Sequence, residues 1–144
     1  MAFLTELTGI ETWLYTQLAN DATMQGLVGN PARVYAGLGP EGAPFPYLVY
    51  QYMAGPDVIA TGGARVMTRA LYTIKAVDKS SSFVTCRTIM NQVETIIENQ
   101  TGSTADTRIL SCIREQPLEL VETDSSGTVY RHLGGRFRIQ AQAL

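Results

Sequence analysis

Histidine and cysteine are nearly absent from this 144-residue chain, which has one of the first and two of the second. Cys86 and Cys112 stand far apart, form no CxxC and have no cluster of histidines beside them. The ligand set of a zinc or redox centre is therefore missing, and the two read as buried thiols. His132 sits alone between Arg131 and Leu133, with no serine or cysteine placed by a local motif to make a nucleophile pair, so it reads as a polar strand position. Charge is scarce as well: 17% of residues are charged, and eleven basic against thirteen acidic residues leave a net charge of -2. No bulk positive field exists to hold a nucleic acid or an anionic membrane surface. No apolar run approaches the roughly 18–20 residues of a spanning helix. The segment from Met1 to Glu6 has no basic region, and Glu6 and Glu11 interrupt its apolar residues, so no secretory leader is expected and a soluble, cytoplasmic product is. The densest carboxylates, Glu115, Glu119, Glu122 and Asp124, fall on strands and a turn where solvation accounts for them. Gly62-Gly63 and Gly134-Gly135 lack the spacing of a phosphate-binding loop. Neither an enzyme nor a cofactor is expected.

What the chain does have is apolar residue, 45% of the total, enough for one domain over 1–144 with its own core. With so little charge and seven tyrosines, its surface is poorer in charge than a free monomer usually shows, a first sign of a partner. Leu7, Ile10, Trp13, Leu14 and Leu18 recur at helical steps and predict a helix from Leu4 to Ala19, with Thr8 and Glu11 as a capping box and the regular part starting near Gly9. Asn20-Asp21 recaps the chain for a second short helical turn that ends at Gly29-Asn30-Pro31.

Arg33–Ala36 reads as a short strand, and Gly37–Pro46, with three glycines and three prolines, as an irregular arm. Tyr47–Met53 reads as a strand opened by a proline, and Gly55–Ala64 as a connecting loop whose exposed apolar tip is Val58 and Ile59. Arg65–Val77 alternates over a length well beyond the usual strand and so projects past its core. A helix is predicted over Ser82–Gln100, with a polar but almost uncharged face around Asn91, then short strands over Arg108–Arg114 and Leu118–Thr123, parted at Gln116-Pro117. Asp124-Ser125-Ser126-Gly127 reads as a hairpin turn and Thr128–Gln142 as the closing strand, in which Gly134-Gly135 marks a bulge or a close approach by another chain. The order α-β-β-β-α-β-β-β predicts an α+β fold, a single antiparallel sheet with long strands flanked by an N-terminal and a central helix.

On the two best strands, Arg65, Arg69 and Lys75, and Arg136 and Arg138, alternate with the apolar residues. If these strands share a sheet, the residues form a basic strip on an acidic chain. Two readings stand side by side: solvated faces whose arginines protect an edge, or a surface for an acidic partner or a passing polyanion.

The run Trp13-Leu14-Tyr15-Thr16-Gln17-Leu18 before Asn20-Asp21-Ala22, then Arg33-Val34-Tyr35, Ala43-Pro44-Phe45-Pro46-Tyr47-Leu48-Val49-Tyr50, a long strand, a helix, and Tyr130-Arg131-His132 through Arg136-Phe137-Arg138-Ile139 resembles the tail-terminator, or tail-completion, family of tailed bacteriophages. The resemblance implies a structural virion protein, assembled in the host cytoplasm, that caps the head-proximal end of the tail tube as a ring, typically of six subunits. It would end tube polymerisation and join the tail to the head. The implied partners are further copies of itself, the tail-tube protein and a head-completion or neck protein, with DNA only passing through the lumen and no membrane. On that view Arg65, Arg69, Lys75, Arg136 and Arg138, the tip Val58 and Ile59, and Phe45 in the arm are the candidate interface or lumen residues. Another neck or head-to-tail adaptor, or a bacterial α+β ligand-binding domain, are the competing readings.

Overall fold

The computed structural model describes residues 5–144; Met1–Leu4, and with them the expected helix start at Leu4, lie outside the described residues. Three helices and seven strands follow in the order α1 (Thr5–Ala19), α2 (Ala22–Val28), β1 (Val34–Ala36), β2 (Tyr47–Ala54), β3 (Asp57–Ile59), β4 (Arg65–Asp78), α3 (Val84–Ile97), β5 (Gly102–Ser103), β6 (Thr107–Thr123) and β7 (Val129–Ala143). The α1 stripe buries Ile10, Trp13, Leu14 and Leu18, and α3 buries Cys86, Ile89, Met90, Val93 and Ile97. Both stripes meet one face of the sheet, where Ala70, Tyr72, Ile74, Phe137, Ile139 and Cys112 complete the core. Gly9 lets α1 settle on β6, because a Cβ there would lie 2.1 Å from the Thr107 hydroxyl oxygen. α1 already runs through Thr8, so the expected capping box lies within its first turns rather than at its start. The second turn does recap at Asp21, whose carboxylate accepts from the Met24 amide at 2.8 Å and from the Gln92 amide on α3 at 3.0 Å.

The strands are ordered β1-β2-β4-β7-β6-β5, with β3 also paired to β4. The sheet is mixed and not purely antiparallel, since β1 lies parallel to β2 with Val34 opposite Leu48. Parallel neighbours need a long crossover, and the irregular arm Gly37–Pro46 supplies one without a helix. The expected loop Gly55–Ala64 is instead the end of a hairpin. Asp57 pairs with Thr68 and Val58 with Met67, the Thr68 hydroxyl donates to the Asp57 carboxylate at 2.6 Å, and Ala60 and Ala64 close the turn. Three residues are too few for an alternation signal, so this strand did not stand out in the sequence.

The two strands expected over 108–123 are one strand, β6. Pro117 lies inside it, opposite Gly135. A proline is tolerated there because the other side of β6 has no strand partner at that level, so no ladder bond is lost. The irregularity expected at Gly134-Gly135 belongs to β6, where the register slips between Arg114 and Gln116. The close approach is real, but it is made by this chain: a Cβ on Gly134 would lie 2.1 Å from the Ile74 carbonyl oxygen. Phe137 is fully buried in the row that runs from Tyr72 on β4 to Arg114 on β6. Phe137→Ala is expected to lower unfolding stability by roughly 3–5 kcal/mol, measured by chemical denaturation, through lost burial and the cavity left behind.

Candidate functional site

Register decides which side chains share a face. β4 and β7 pair continuously from Thr68 opposite Ala141 to Asp78 opposite Arg131. Arg69 therefore lies beside Gln140, Leu71 beside Arg138, Thr73 beside Arg136 and Lys75 beside Gly134, all pointing away from the core face. The sequence placed these cations on two alternating strands, and the pairing brings Arg69, Lys75, Arg136 and Arg138 onto one helix-free face. On that face Arg138 donates from Nε and Nη2 to the two Glu115 carboxylate oxygens at 3.0 and 3.1 Å, and from Nη1 to the Arg69 carbonyl at 2.9 Å. The Arg138 guanidinium holds the Glu115 carboxyl below its usual range, and Arg69 adds to the effect. Arg136 has a buried Nε with no hydrogen-bond partner.

Arg65 does not join this strip. The β3–β4 register slips between Val58 and Ile59, which breaks the alternation and turns Arg65 toward α1, where its Nη2 meets the Glu6 carboxylate at 3.0 Å. Glu6 is buried, so this pair ties the projecting hairpin to the first turn of α1. Phe45 also faces its own chain. Its ring packs on Tyr47 and Tyr130 at centroid distances of 5.1 and 5.6 Å, with the Lys79 ammonium 4.8 Å above it. Val58 is half-buried in β3, whereas Ile59 is 62% exposed beside the turn.

At the far end of the open face His132 lies opposite Val77 and Leu120. Its Nε2–H donates to the exposed Glu122 carboxylate at 2.6 Å, and its buried Nδ1 has no partner. A second proton would have to sit on that unpartnered nitrogen. Burial first, and then the Lys75 ammonium, push the imidazole below its usual range, while Glu122 opposes them. The turn beyond is tightened by Asp124, whose carboxylate accepts from the Ser126 and Tyr130 hydroxyls at 2.7 and 2.9 Å and is held down at about 2. Sequence reading passed over this His132–Glu122–Lys75 group because its members lie on three strands. Burial raises the Cys86 and Cys112 thiols to about 11 and about 12, so both stay protonated at neutral pH and are poor nucleophiles. Among the described residues no three His, Cys, Asp or Glu side chains gather as a metal site. No described helix is long and apolar enough to cross a membrane.

One helix-packed face, one helix-free face that carries four cations, and two long hairpins of unlike chemistry are what the fold presents. Residues 12–141 match the family described as tail completion protein gp17. The chain belongs to that family and is a phage tail structural protein. In fold it is similar to a chain of the virion of a native gene transfer agent particle, with a TM-score of 0.69 and 17% identity over 96% of this chain and 99% of that one. Among curated proteins none matches.

Two measurements check the site's electrostatics. Arg65→Ala leaves the buried Glu6 carboxylate without this partner and is expected to lower stability by about 1–3 kcal/mol, whereas Arg69→Ala, on an exposed side chain, is expected to stay within about 0.5 kcal/mol. Denaturant melts of the two variants compare them directly. For His132 the folded value lies below the unfolded one, so its contribution is complete above about pH 6.5 and is lost as the pH falls toward the folded value. Melting of wild type and His132→Gln between about pH 7.5 and 5 should show the shallower acid loss in the variant.

Proposed function

We propose that this chain forms a ring, hexameric as its resemblance to tail terminators implies, that caps the head-proximal end of the tail tube. There it ends tube polymerisation and presents the surface to which the head or neck joins. Its partners are then further copies of itself, the tail-tube protein and a head-completion or neck protein, and it assembles in the host cytoplasm. The observation that carries this reading beyond family membership is the helix-free face of the sheet, where Arg69, Lys75, Arg136 and Arg138 gather on a chain of net negative charge.

A head-to-tail contact closes into a ring when its rotation divides the circle, and each subunit then needs two different complementary surfaces. The first hairpin, with Ile59 at its exposed end, and the second hairpin, with its acidic turn, are two such surfaces. A basic face turned to the lumen attracts DNA through phosphate charge without reading sequence, which is all that passage requires. Arg65 and Phe45, committed to Glu6 and to the aromatic cluster, serve this reading by fixing the hairpin and the arm.

The test is light scattering or native mass spectrometry at micromolar concentration, with and without purified tail tubes, followed by imaging of tube ends. A ring bound at one tube end is the expected result. Monomer alone in the presence of tubes overturns the reading, and binding to portal complexes instead of tubes assigns the chain to the head side of the joint. Reversing charge at Arg69 and Lys75 together is expected to leave ring size unchanged while lowering the infectious titre of particles assembled with the variant.

A further inference from the structure

Among the sheet edges that have no strand beside them in the described residues, two lie on opposite sides and at opposite ends of the sheet. The first is the outer edge of β3, which pairs only with β4. The second is the outer edge of β6 beyond Arg114. β5 covers β6 only at Arg108 and Ile109, the Asn99 amide donates to the Cys112 carbonyl at 2.8 Å, and the Arg114 amide donates to the Glu98 carboxylate at 3.0 Å. From Gln116 to Thr123 the strand pairs with β7 alone. β1 covers β2 at the level where β6 is uncovered, and β5 covers β6 at the level where β3 is uncovered.

We propose that the free edge of β6 between Leu118 and Thr123 receives the β3 edge of a second copy of this chain, so that one sheet continues from subunit to subunit. The proposal rests on the ring reading and names the contact that builds it. Unpaired strand edges invite pairing with any available strand, and here charge selects the partner. From Gln116 to Asp124 the β6 arm carries Glu119, Glu122 and Asp124 and no cation. Two such edges laid antiparallel on a two-fold axis would bring acid against acid, which destabilises a cross-strand pair. The first hairpin from Gly55 to Ala64 carries a single charge, Asp57, which already accepts from Thr68, and Arg65 next to it pairs with Glu6. The acidic edge thus opposes its own kind more than it opposes the β3 edge, which favours a head-to-tail contact over a closed dimer.

The apolar residues agree. Leu120 and Val121 are 46% and 48% exposed on the β6 arm, and Ile59 and Val66 are 62% and 41% exposed on the hairpin. Pro117 has no N–H to give, so strand addition is confined to the part of β6 beyond it, which limits the register. Because the two edges lie at opposite ends of the sheet, joined copies are offset along the strand direction. A ring that does not climb into a helix then requires strands inclined to its axis, as in a barrel.

Paired cysteines test this contact, since the native Cys86 and Cys112 are buried. Ile59→Cys is combined in turn with Leu118→Cys, Leu120→Cys and Val121→Cys, and assembled protein is oxidised. At least one pair is expected to give a ladder of covalent oligomers on a non-reducing gel that returns to monomer with reductant, while the single variants give none. Rings seen by light scattering without a ladder from any pair overturn the contact and leave the ring standing. Crosslinked dimers from a single variant also overturn it, because they report a two-fold contact. Monomer alone, with tubes present, overturns the ring and this contact together. Ile59→Glu adds acid where acid must be met, and is expected to raise the concentration for half-assembly at least about ten-fold without changing the monomer melt; unchanged assembly overturns the proposal.

Discussion

The ladder between β4 and β7 is the constraint on which the rest of the structure depends. It joins the two long hairpins, which are otherwise separate in the chain, and sets them side by side over the whole stretch from Thr68 to Asp78. Gly134 permits it, since any side chain there would enter the backbone of β4 at Ile74. Once the register is fixed, the pleat assigns every residue of both strands to a face. Ala70, Tyr72, Ile74, Phe137 and Ile139 go to the helices, and Arg69, Lys75, Arg136 and Arg138 go to the open side. A slip of one residue would bury the cations beneath α1 and α3, so core and basic face are two results of one pairing.

The helices follow from that core face. α1 approaches β6 closely at Gly9 and Thr107, where the Thr107 hydroxyl donates to the Thr5 carbonyl at 3.2 Å. α2 and α3 are tied through Asp21 and Gln92. None of these elements covers the distal half of β6, where Leu120 and Val121 stand exposed, nor the end of the first hairpin. Unpaired backbone and exposed apolar side chains coincide at those two places.

Much of the fold was legible because its long elements carry strong periodicity. The stripes of α1 and α3 and the alternation of β4 and β7 appear within a few residues of their expected bounds. β3 was missed because three residues hold no period, and β6 was divided in two because a proline is a stop signal except on an edge, and edges are not written in local sequence. The parallel pairing of β1 was hidden in an arm whose composition says only that it is irregular. Of the candidate residues, Arg69, Lys75, Arg136 and Arg138 gather as alternation implied. Arg65 parts from them because of a register slip, and Phe45 turns out to be packed on Tyr47 and Tyr130.

The sequence by itself therefore determined the faces of the long strands and helices and the scarcity of histidine and cysteine, because each depends on residue type and spacing along the chain. Tertiary structure alone decided which strands are neighbours, where the sheet stays open, and which cation meets which acid. Those depend on contacts between residues far apart in sequence, such as Glu6 with Arg65 and Glu115 with Arg138, and a period along one strand contains no information about the strand beside it.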